Sequence, residues 1–376
     1  MENAVQLANT LYILLKVKGF TINVFRKLVE RDFNFLSFLD KNNQEYLKQF
    51  NIPEFIGEQF KLFDSGKVYD YFEKLDNEGI RVVSYFDQKY PAKLKNIYDP
   101  PALLYVQGKD LDFAIPSIAV VGTRKCSSYG MKVTMDLTSQ LVSQGIMIIS
   151  GMAEGIDTCA HRATLNGQGK TIAVLGGGFN HIYPRTNVGL FEEIIDSGMV
   201  ISEYEPDIEP RRMFFPLRNR IVTGLSDGVM IVEGDIKSGA MISAYLAMDQ
   251  GKEVFAVPGD ITSDISKGPH KLIKEGAKLV SSVEDILEEQ PFVRQQSLFS
   301  LENIETSQPE KELNYGTLNE IQVKIVKLLS GVPTGIDSIV ETTRLSSSEI
   351  IAALLELEII GRIKQHPGKL FTLNRK

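Results

Sequence analysis

Short β-branched segments alternate with stretches of helical spacing through the middle of the chain, from Ser117 to Val257. This alternation is typical of βαβ units, in which each strand is followed by a helix that leads to the next parallel strand. The sequence therefore predicts an α/β fold with a doubly wound parallel sheet. The expected strands are Ile118–Val121, Ile146–Ile149, Thr171–Leu175, Val200–Ser202, Gly228–Val232 and Glu253–Val257.

Turns that contain glycine, serine or threonine follow several of these strands directly. In an open parallel sheet, ligands bind in the crevice beyond the carboxyl ends of the strands. Helices that begin there present free N–H groups and the positive end of their dipole to phosphates. We therefore expect a site for a phosphorylated ligand, built from Gly122-Thr123-Arg124, Ser150-Gly151 through Asp157, Gly176-Gly177-Gly178 and Ser238-Gly239.

These turns do not complete a known nucleotide motif. The turn from Ser150 to Asp157 lacks the Gly-Lys-Ser/Thr that NTP hydrolysis requires, and the three glycines at 176–178 lack a following acidic residue at ribose-reading distance. A P-loop NTPase and a nicotinamide or flavin enzyme are therefore not expected. Each turn can also be read as an ordinary connection between strand and helix. In the first turn, for example, Ser127 or Ser128 would cap the following helix.

Aromatic and cationic residues are combined around Pro216. Phe214 and Phe215 precede the proline, and Arg218 and Arg220 follow it. Aromatic rings stack on nucleic-acid bases, and guanidinium groups pair with phosphates. The alternative is structural: the rings would belong to the core, and the arginines would pair with Glu203, Glu205 or Glu233.

The sequence contains no recognisable set of catalytic residues. His161, His181, His270 and His366 are scattered, and a histidine on a helix, such as His161, is more often structural than catalytic. No paired carboxylates, nucleophile elbow or cluster of metal ligands is evident. We expect a site that holds a ligand without transforming it, with no cofactor and no metal.

Composition limits the class of protein without deciding its ligand. The chain is 43% hydrophobic and 24% charged, as in ordinary globular proteins, and its net charge of −7 argues against a uniformly basic surface. A local cationic pocket can still bind a polyanion. No apolar run is long enough to cross a bilayer, and Leu11 to Val17 is too short for a secretory signal, so we expect a cytoplasmic protein with free thiols at Cys126 and Cys159.

Changes in composition along the chain suggest four parts. Residues 1–75 have helical spacing, and residues 76–289 contain the expected sheet. Residues 290–314 are rich in polar residues and are expected to be a linker. Residues 315–376 suggest three helices and a β-ribbon, similar to a winged helix. Its expected recognition helix, Ser346 to Ile360, carries three glutamates and no basic residue, which argues against insertion into DNA.

An ordered series of motifs runs through the chain: Val120-Val121-Gly122-Thr123-Arg124, Ser150-Gly151-Met152-Ala153-Glu154-Gly155-Ile156-Asp157, Tyr183-Pro184, Phe215-Pro216, Arg218-Asn219-Arg220, Ser238-Gly239 and Pro258-Gly259. This series resembles the bacterial DNA-processing protein A (DprA, also called Smf) family. The resemblance covers most of the chain and implies an extended Rossmann-like domain with a helical (SAM or helix-hairpin-helix-like) domain before it and a winged helix after it. It also implies a non-enzymatic protein that binds single-stranded DNA, forms a homodimer and loads RecA during natural transformation.

The resemblance also implies which residues contact DNA. Arg124 and Arg185 stand where the family places cationic groups, and Ala240 replaces a hydroxyl residue of the family's Ser-Gly-Ser motif. The resemblance further suggests a dimer face at Ile265, Leu272 and Ile273, for which burial in the core is an equal explanation. The full expected DNA-binding set is Gly122, Arg124, Ser127, Ser150, Gly151, Arg185, Asn187, Phe215, Arg218, Asn219, Ser238 and Gly239.

A second class of function has a similar fold. Rossmann-like nucleotide phosphoribohydrolases of the lysine-decarboxylase-like group combine a comparable sheet with phosphate turns. They carry Pro-Gly-Gly-x-Gly-Thr and a glutamate, whereas the corresponding stretch here is Glu233-Gly234-Asp235-Ile236-Lys237-Ser238-Gly239. The missing glycines argue against this alternative.

Overall fold

The computed structural model describes residues 2–39, 44–289, 319–329, 334–335, 339–340, 343, 345–359, 362–366 and 370–373. The chain divides into two compact units, Met1–Ser300 and Leu301–Lys376. The finer division that the sequence suggests, at residues 75, 289 and 314, stays a prediction. Among the described residues, no helix is both long enough and apolar enough to cross a membrane.

The chain begins with helices that pack around an aromatic and aliphatic core. Leu11, Leu14, Phe25, Phe35 and Phe60 are among its buried residues. This part of the chain is therefore helical, as expected. Its helices are α1 (Glu2–Lys16), α2 (Ile22–Val29), a 3-10 helix (Phe35–Leu39), α3 (Gln44–Gln49), α4 (Glu54–Lys61) and α5 (Ser65–Asn77).

A nine-stranded sheet forms the body of the first unit, in the order β1-β2-β6-β5-β4-β3-β7-β8-β9. In this order, the seven strands from β6 through β5, β4, β3, β7 and β8 to β9 are all parallel. Strand β2 pairs antiparallel with β6, and β1 pairs antiparallel with β2. The strands are β1 (Ile80–Ser84), β2 (Leu103–Gly108), β3 (Ser117–Val121), β4 (Met147–Ser150), β5 (Thr171–Val174), β6 (Met199–Ser202), β7 (Gly228–Ile231), β8 (Glu253–Ala256) and β9 (Lys278–Leu279).

The central strands are apolar because both faces of the sheet are covered. In β3, Ala119 and Val121 belong to the core on one face, and Ile118 and Val120 belong to the core on the other. Strands buried on both faces have continuous rather than alternating apolar sequences. The predicted doubly wound parallel sheet is thus confirmed, with antiparallel strands added at one edge.

Helices cover both faces of this sheet, as the βαβ pattern requires. Ser127 caps α7 by accepting a hydrogen bond from the Gly130 N–H. The helices of the sheet region are α6 (Ala92–Lys95), α7 (Ser128–Ser143), α8 (Ile156–Asn166), α9 (Val188–Ser197), α10 (Phe214–Leu225), α11 (Gly239–Asp249), α12 (Lys267–Lys274) and α13 (Glu284–Leu287), with 3-10 helices at Arg185–Asn187 and Asp264–Ser266.

The second unit has the elements of a winged helix. Helices Glu320–Leu328 and Ser347–Ile359 pack around a small apolar core with β11 (Ile363–His366) and β12 (Leu370–Leu373), and β10 (Thr334–Gly335) pairs with β12. The three strands form an antiparallel sheet in the order β10-β12-β11. The expected linker at 290–314 and most of the expected helix Ile336 to Thr343 lie outside the described residues.

Candidate nucleic-acid interface

A crevice of about 910 Å³ opens at the carboxyl edge of the parallel strands. Seven of the expected DNA-binding residues line it, and they come from the turns after β3 and β7 and from helix α10. The sheet order explains this convergence, because β3 lies beside β7 and the turns that follow both strands meet at this edge. The lining residues expected from the sequence are Gly122, Arg124, Phe215, Arg218, Asn219, Ser238 and Gly239.

An aromatic and cationic cluster lies on one side of the crevice. The guanidinium of Arg124 lies over the ring of Phe215, 5.0 Å from its centroid. The ring of Tyr183, which is half exposed, lies 5.5 Å from the Phe215 ring at an angle of 54°. A cation above an aromatic face is held in place without losing its charge. The cluster can therefore present both a positive group and ring surface to a ligand.

Arg218 has a different environment from Arg124. Its side chain is buried and donates a hydrogen bond from Nη1 to the Val174 carbonyl. Burial lowers the pKa of Arg218 to about 10, against the opposing effect of Asp157. The guanidinium lies so close to Gly151 that a Cβ there would be 2.0 Å from Nη1. Arg218 thus supports the floor of the crevice and accounts for the glycine at 151.

The turn at residues 150–157 is closed by its own carboxylate. Asp157 accepts hydrogen bonds from the N–H groups of Gly151 at 3.1 Å and Ala153 at 3.3 Å. The Ser150 hydroxyl is fully buried and donates to the Val120 carbonyl at 2.7 Å. These groups are already bonded within the protein. We therefore assign Ser150 and Gly151 to the support of the crevice.

The N-terminus of α7 is occupied in the same way. Glu233 accepts hydrogen bonds from the Ser127 N–H at 2.9 Å and from the Ser127 hydroxyl at 2.5 Å. The carboxylate also fills the space beside Gly130, where a Cβ would lie 2.2 Å from Oε2. An anion already sits where a phosphate would bind to this helix. Ser127 therefore belongs to the structure that holds the turn.

The N-terminus of α11 differs because it opens into the crevice. Ser238 and Gly239 both line the crevice, and a Cβ added to Gly239 would meet nothing within 4 Å. The Ser238 hydroxyl oxygen is buried beside Gly234 and has no hydrogen-bond partner among the described residues. Asn219 lies beside this turn and donates to the Gly239 carbonyl at 3.4 Å. The first turn of α11 can thus offer its free N–H groups to an anion.

Arg185 and Asn187 lie together in the turn before α9 but have different roles. The Arg185 side chain is exposed and has no ion-pair partner in the described part of the chain. Asn187 is buried and donates to the Met152 carbonyl and to the Thr158 hydroxyl, both at 2.9 Å. Asn187 therefore ties this turn to the 150–157 turn, and Arg185 stays available to a ligand.

Two further cationic residues, which the sequence alone did not single out, also line the crevice. Lys125 and Arg212 are exposed, and neither side chain pairs with an acidic group in the described ranges. Lys125 directly follows Arg124, and Arg212 belongs to the Arg211-Arg212 pair that precedes the aromatic residues. Both could have been found as basic neighbours of the motifs. Together with Arg124 they make the crevice locally positive in an acidic chain.

The sequence predicts that the three glycines at 176–178 form an open phosphate turn, but the structure shows that they are closely packed. A Cβ at Gly176 would lie 2.9 Å from the Phe215 ring, and one at Gly177 would lie 3.0 Å from Pro210 Cα. At Gly178 the Pro206 carbonyl oxygen would be only 2.2 Å away. The glycines instead allow the segment that follows β6 to pack directly on the backbone.

Arg220 serves the structure, which is one of the two possibilities left open by the sequence. Its Nε lies 3.0 Å from Asp99 Oδ2 and its Nη2 lies 2.6 Å from Glu203 Oε1. The Arg220 side chain is 8% exposed. Burial raises the pKa of Glu203, and Arg220 opposes that rise.

The three residues expected at a dimer face lie in different environments. Leu272 is fully buried in the core of the sheet region, and Ile273 packs against that core from a partly exposed position. Ile265 lines the crevice, and its carbonyl accepts a hydrogen bond from the Gly234 N–H at 2.6 Å. Burial in the core therefore accounts for Leu272, and Ile265 and Ile273 remain accessible.

Comparison with known proteins places the chain in a family. The family described as DNA recombination-mediator protein A matches residues 81–291, and the DprA winged helix domain matches residues 309–369. DNA processing protein DprA of Bacillus subtilis (strain 168) is 45% identical over 218 residues, which span 57% of this chain and 72% of that protein.

Solved structures agree with this match. The X-ray structure of DNA processing protein A from Streptococcus pneumoniae superposes with a TM-score of 0.66 at 36% identity, over 75% of this chain and 98% of that one. A structure of the Helicobacter pylori protein, described by its single-stranded DNA binding mode, gives a TM-score of 0.51 at 31% identity, over 58% and 96%. The chain therefore belongs to the DprA/Smf family of DNA processing proteins.

Proposed function

We propose that the chain binds single-stranded DNA in the crevice and delivers it to RecA during natural transformation. The observation that carries this proposal is the cluster of Arg124, Phe215 and Tyr183 beside the open N-terminus of α11. Phosphates would pair with Arg124, Lys125, Arg185 and Arg212, and the first turn of α11 would hold a further phosphate. The single-stranded DNA binding mode described for the Helicobacter pylori relative supports this reading.

The exposed ring surface favours a single strand over a duplex. Tyr183 is 50% exposed and has a neighbouring aromatic ring, so an unpaired base can stack against it. The bases of a duplex are already stacked on each other and are not available to these rings. A duplex would therefore gain only the contacts to phosphates.

We propose further that the protein acts without catalysing a reaction. Two carboxylates of the turns around the crevice, Asp157 and Glu233, are engaged by backbone N–H groups. His161 is fully buried, and burial, followed by the charge of Arg218, lowers its pKa to about 3. In the described part of the chain, these groups make hydrogen bonds within the protein and do not form an acid and base pair facing the crevice.

The remaining parts of the proposal are a homodimer, a RecA partner and a cytoplasmic location. The family's description as a recombination mediator supports a recombinase as the partner that receives the strand. Ile265 and Ile273 are the residues of the expected dimer face that are accessible, so we assign the face to them. Leu272 would support that face from within the core.

The proposal is tested by titrating the protein into a fluorescent poly-dT strand of about 30 nucleotides, beside a duplex of equal length, at several salt concentrations. We expect tight and salt-sensitive binding to the single strand and much weaker binding to the duplex. No binding, or equal binding to both, would overturn the proposal. Incubation with nucleoside monophosphates tests the alternative hydrolase directly, and we expect no release of free base.

A further inference from the structure

Helix α1 contacts the segment that leads from β6 into the crevice. The Tyr12 hydroxyl donates to Glu205 Oε2 at 2.9 Å, and the Lys16 ammonium pairs with Glu205 Oε1. Both oxygens of this carboxylate are therefore engaged by one helix. The Glu205 side chain is 23% exposed, so the contact is partly shielded from solvent. A shielded, charge-assisted hydrogen bond is stronger than one on an open surface.

The donor side of this contact is fixed by further packing. The Tyr12 ring lies 5.6 Å from the ring of Tyr71 and meets the ring of Phe72 edge to face at 5.5 Å. Both of these rings belong to α5. Burial and the Glu205 carboxylate raise the pKa of Tyr12 well above its ordinary value, so the phenol keeps its proton at neutral pH. Two helices of the N-terminal part thus fix the donor to Glu205.

The acceptor side is the start of a short segment that reaches the crevice. We name residues 205–213 the arginine segment, because it contains Arg211 and Arg212. Near its start, the Ile208 carbonyl accepts from the Gly178 N–H at 2.8 Å and the Pro206 carbonyl accepts from the Asn180 N–H at 2.9 Å. Beyond Ile208 the segment continues to Pro210 and Arg212, both of which line the crevice.

We propose that α1, through Tyr12 and Lys16, holds Glu205 so that the arginine segment places Arg212 in the crevice, and that the N-terminal helices thereby set the affinity for single-stranded DNA. Glu205 is then a positioning residue that need not touch the strand. This inference rests on the proposed function. It assigns the N-terminal helices an effect on the DNA site through a defined contact.

A positioning role for Glu205 and a purely electrostatic role predict opposite effects on DNA binding when Glu205 is replaced by glutamine. Removal of a negative charge near Arg211 and Arg212 should strengthen the binding of a polyanion if charge alone matters. Loss of the hold on the arginine segment should weaken it. Glu209 provides a matched control, because it is an exposed acidic residue of the same segment and makes no ion pair with a described residue. Tyr69, an exposed tyrosine of α5, provides the control for Tyr12.

The experiment uses the full chain with Glu205→Gln, Tyr12→Phe, both together, Glu209→Gln and Tyr69→Phe. The readouts are the Kd for poly-dT and hydrogen exchange of residues 205–213 without DNA. We expect Glu205→Gln and Tyr12→Phe each to weaken binding by about five-fold. The double variant should weaken binding by less than the product of the two single effects, because both substitutions break the same contact between Tyr12 and Glu205. Exchange in the arginine segment should become faster in the same variants.

The controls should bind as the parent does, or slightly tighter for Glu209→Gln. Glu205→Gln that binds like Glu209→Gln, or unchanged exchange in the arginine segment, would overturn the inference while leaving the proposed function intact. A parent protein that does not bind poly-dT would overturn the proposed function and the inference with it. Urea denaturation should show that every variant is fully folded under the conditions of the titration, even where loss of the Glu205 contact lowers its midpoint, so that a change in Kd is not a change in folding.

Discussion

The guanidinium of Arg124 lies 5.0 Å above the ring of Phe215, although strands β4, β5 and β6 lie between the two residues in the sequence. Arg124 follows β3, and Phe215 lies in the first turn of the helix after β6. Their contact places a fixed positive charge beside an aromatic surface at the carboxyl edge of the sheet. A phosphate and the base next to it can therefore be bound by neighbouring side chains.

Removing the exposed side chains of Arg124 and Arg185 should remove most of the DNA binding without unfolding the protein. For Arg124→Ala combined with Arg185→Ala, we expect the affinity for poly-dT to fall by more than about ten-fold, because two phosphate contacts are lost. The slope of log K against log salt should become shallower by about 1.4, since each contact to a single strand contributes about 0.7. The titration of poly-dT at several salt concentrations measures both.

Lys170→Ala is the control for that pair, because Lys170 is exposed and precedes β5 at the opposite edge of the sheet. It should leave the affinity and the salt slope nearly unchanged. A double arginine variant that binds as tightly as the parent would show that the strand lies elsewhere.

A carboxylate at the start of α11 should exclude the strand. We expect Gly239→Asp to weaken poly-dT binding by about ten-fold or more, because the acid would take the place of a phosphate at the helix N-terminus. The site is open, so the side chain fits without displacing a neighbour. Gly239→Asn has the same shape without the charge and should bind much more tightly than Gly239→Asp. Equal loss in both variants would indicate a steric effect and would contradict a phosphate site there.

Tyr183→Leu should separate stacking from charge. We expect it to weaken single-strand binding by about 1–3 kcal/mol for each base that is no longer stacked, with an unchanged salt slope. Binding to a duplex should change little. Tyr69→Leu, at another exposed tyrosine, serves as the control. If the salt slope falls with Tyr183→Leu, the ring acts by placing Arg124 and not by stacking.

Arg220→Met should act on stability rather than on binding. The substitution leaves Asp99 and Glu203 without their cation at a largely buried site. We expect a loss of about 3–5 kcal/mol in the free energy of unfolding, which is typical of breaking a buried ion pair from one side. Urea denaturation measures this loss, with Arg211→Met as an exposed control. A loss below about 1 kcal/mol would mean that the pair is effectively a surface pair.

His161 should make stability depend on pH. Its pKa is lowered to about 3 in the folded protein from an ordinary value of 6.5, mainly by burial. Below pH 6.5 the unfolded chain therefore takes up a proton that the folded chain does not, and stability falls as the pH falls. From pH 6.5 to 5 this contribution approaches about 1.4 kcal/mol per pH unit.

His161→Asn tests this, because an amide N–H can replace the imidazole contact to the Thr171 hydroxyl, which is 2.8 Å long, and does not titrate. The free energy of unfolding of the variant should change less between pH 6.5 and 5 than that of the parent. Identical pH profiles for the two proteins would contradict the assignment.

The sequence was sufficient to predict the strands and the edge at which the turns meet. The segment Ile118–Val121 lies within β3, and Gly228–Val232 begins where β7 begins. Both predictions succeed because a strand buried on two faces must be apolar throughout. The positions of the turns follow from the strands, so the edge of the crevice was predictable as well.

The sequence could not show which arginines are free. Arg124, Arg218 and Arg220 have the same chemistry, and each stands near a turn or a helix start. What separates them is contact with distant residues, such as Asp99 beside Arg220. Such contacts depend on the order of the strands, which local spacing does not encode. For the same reason the pairing of Ser127 with Glu233, 106 residues apart, was not predictable.

The carboxylates of Asp157 and Glu233 have a consequence for the kind of ligand this edge accepts. They occupy the polar N–H groups of two turns, and the start of α11 remains open. A diphosphate needs two adjacent anion-binding sites, whereas a DNA strand that runs through the crevice needs only one phosphate-binding site there. Conversion of this crevice into a pocket for a free nucleotide would therefore have to begin with the loss of these two acids, before any glycine is added.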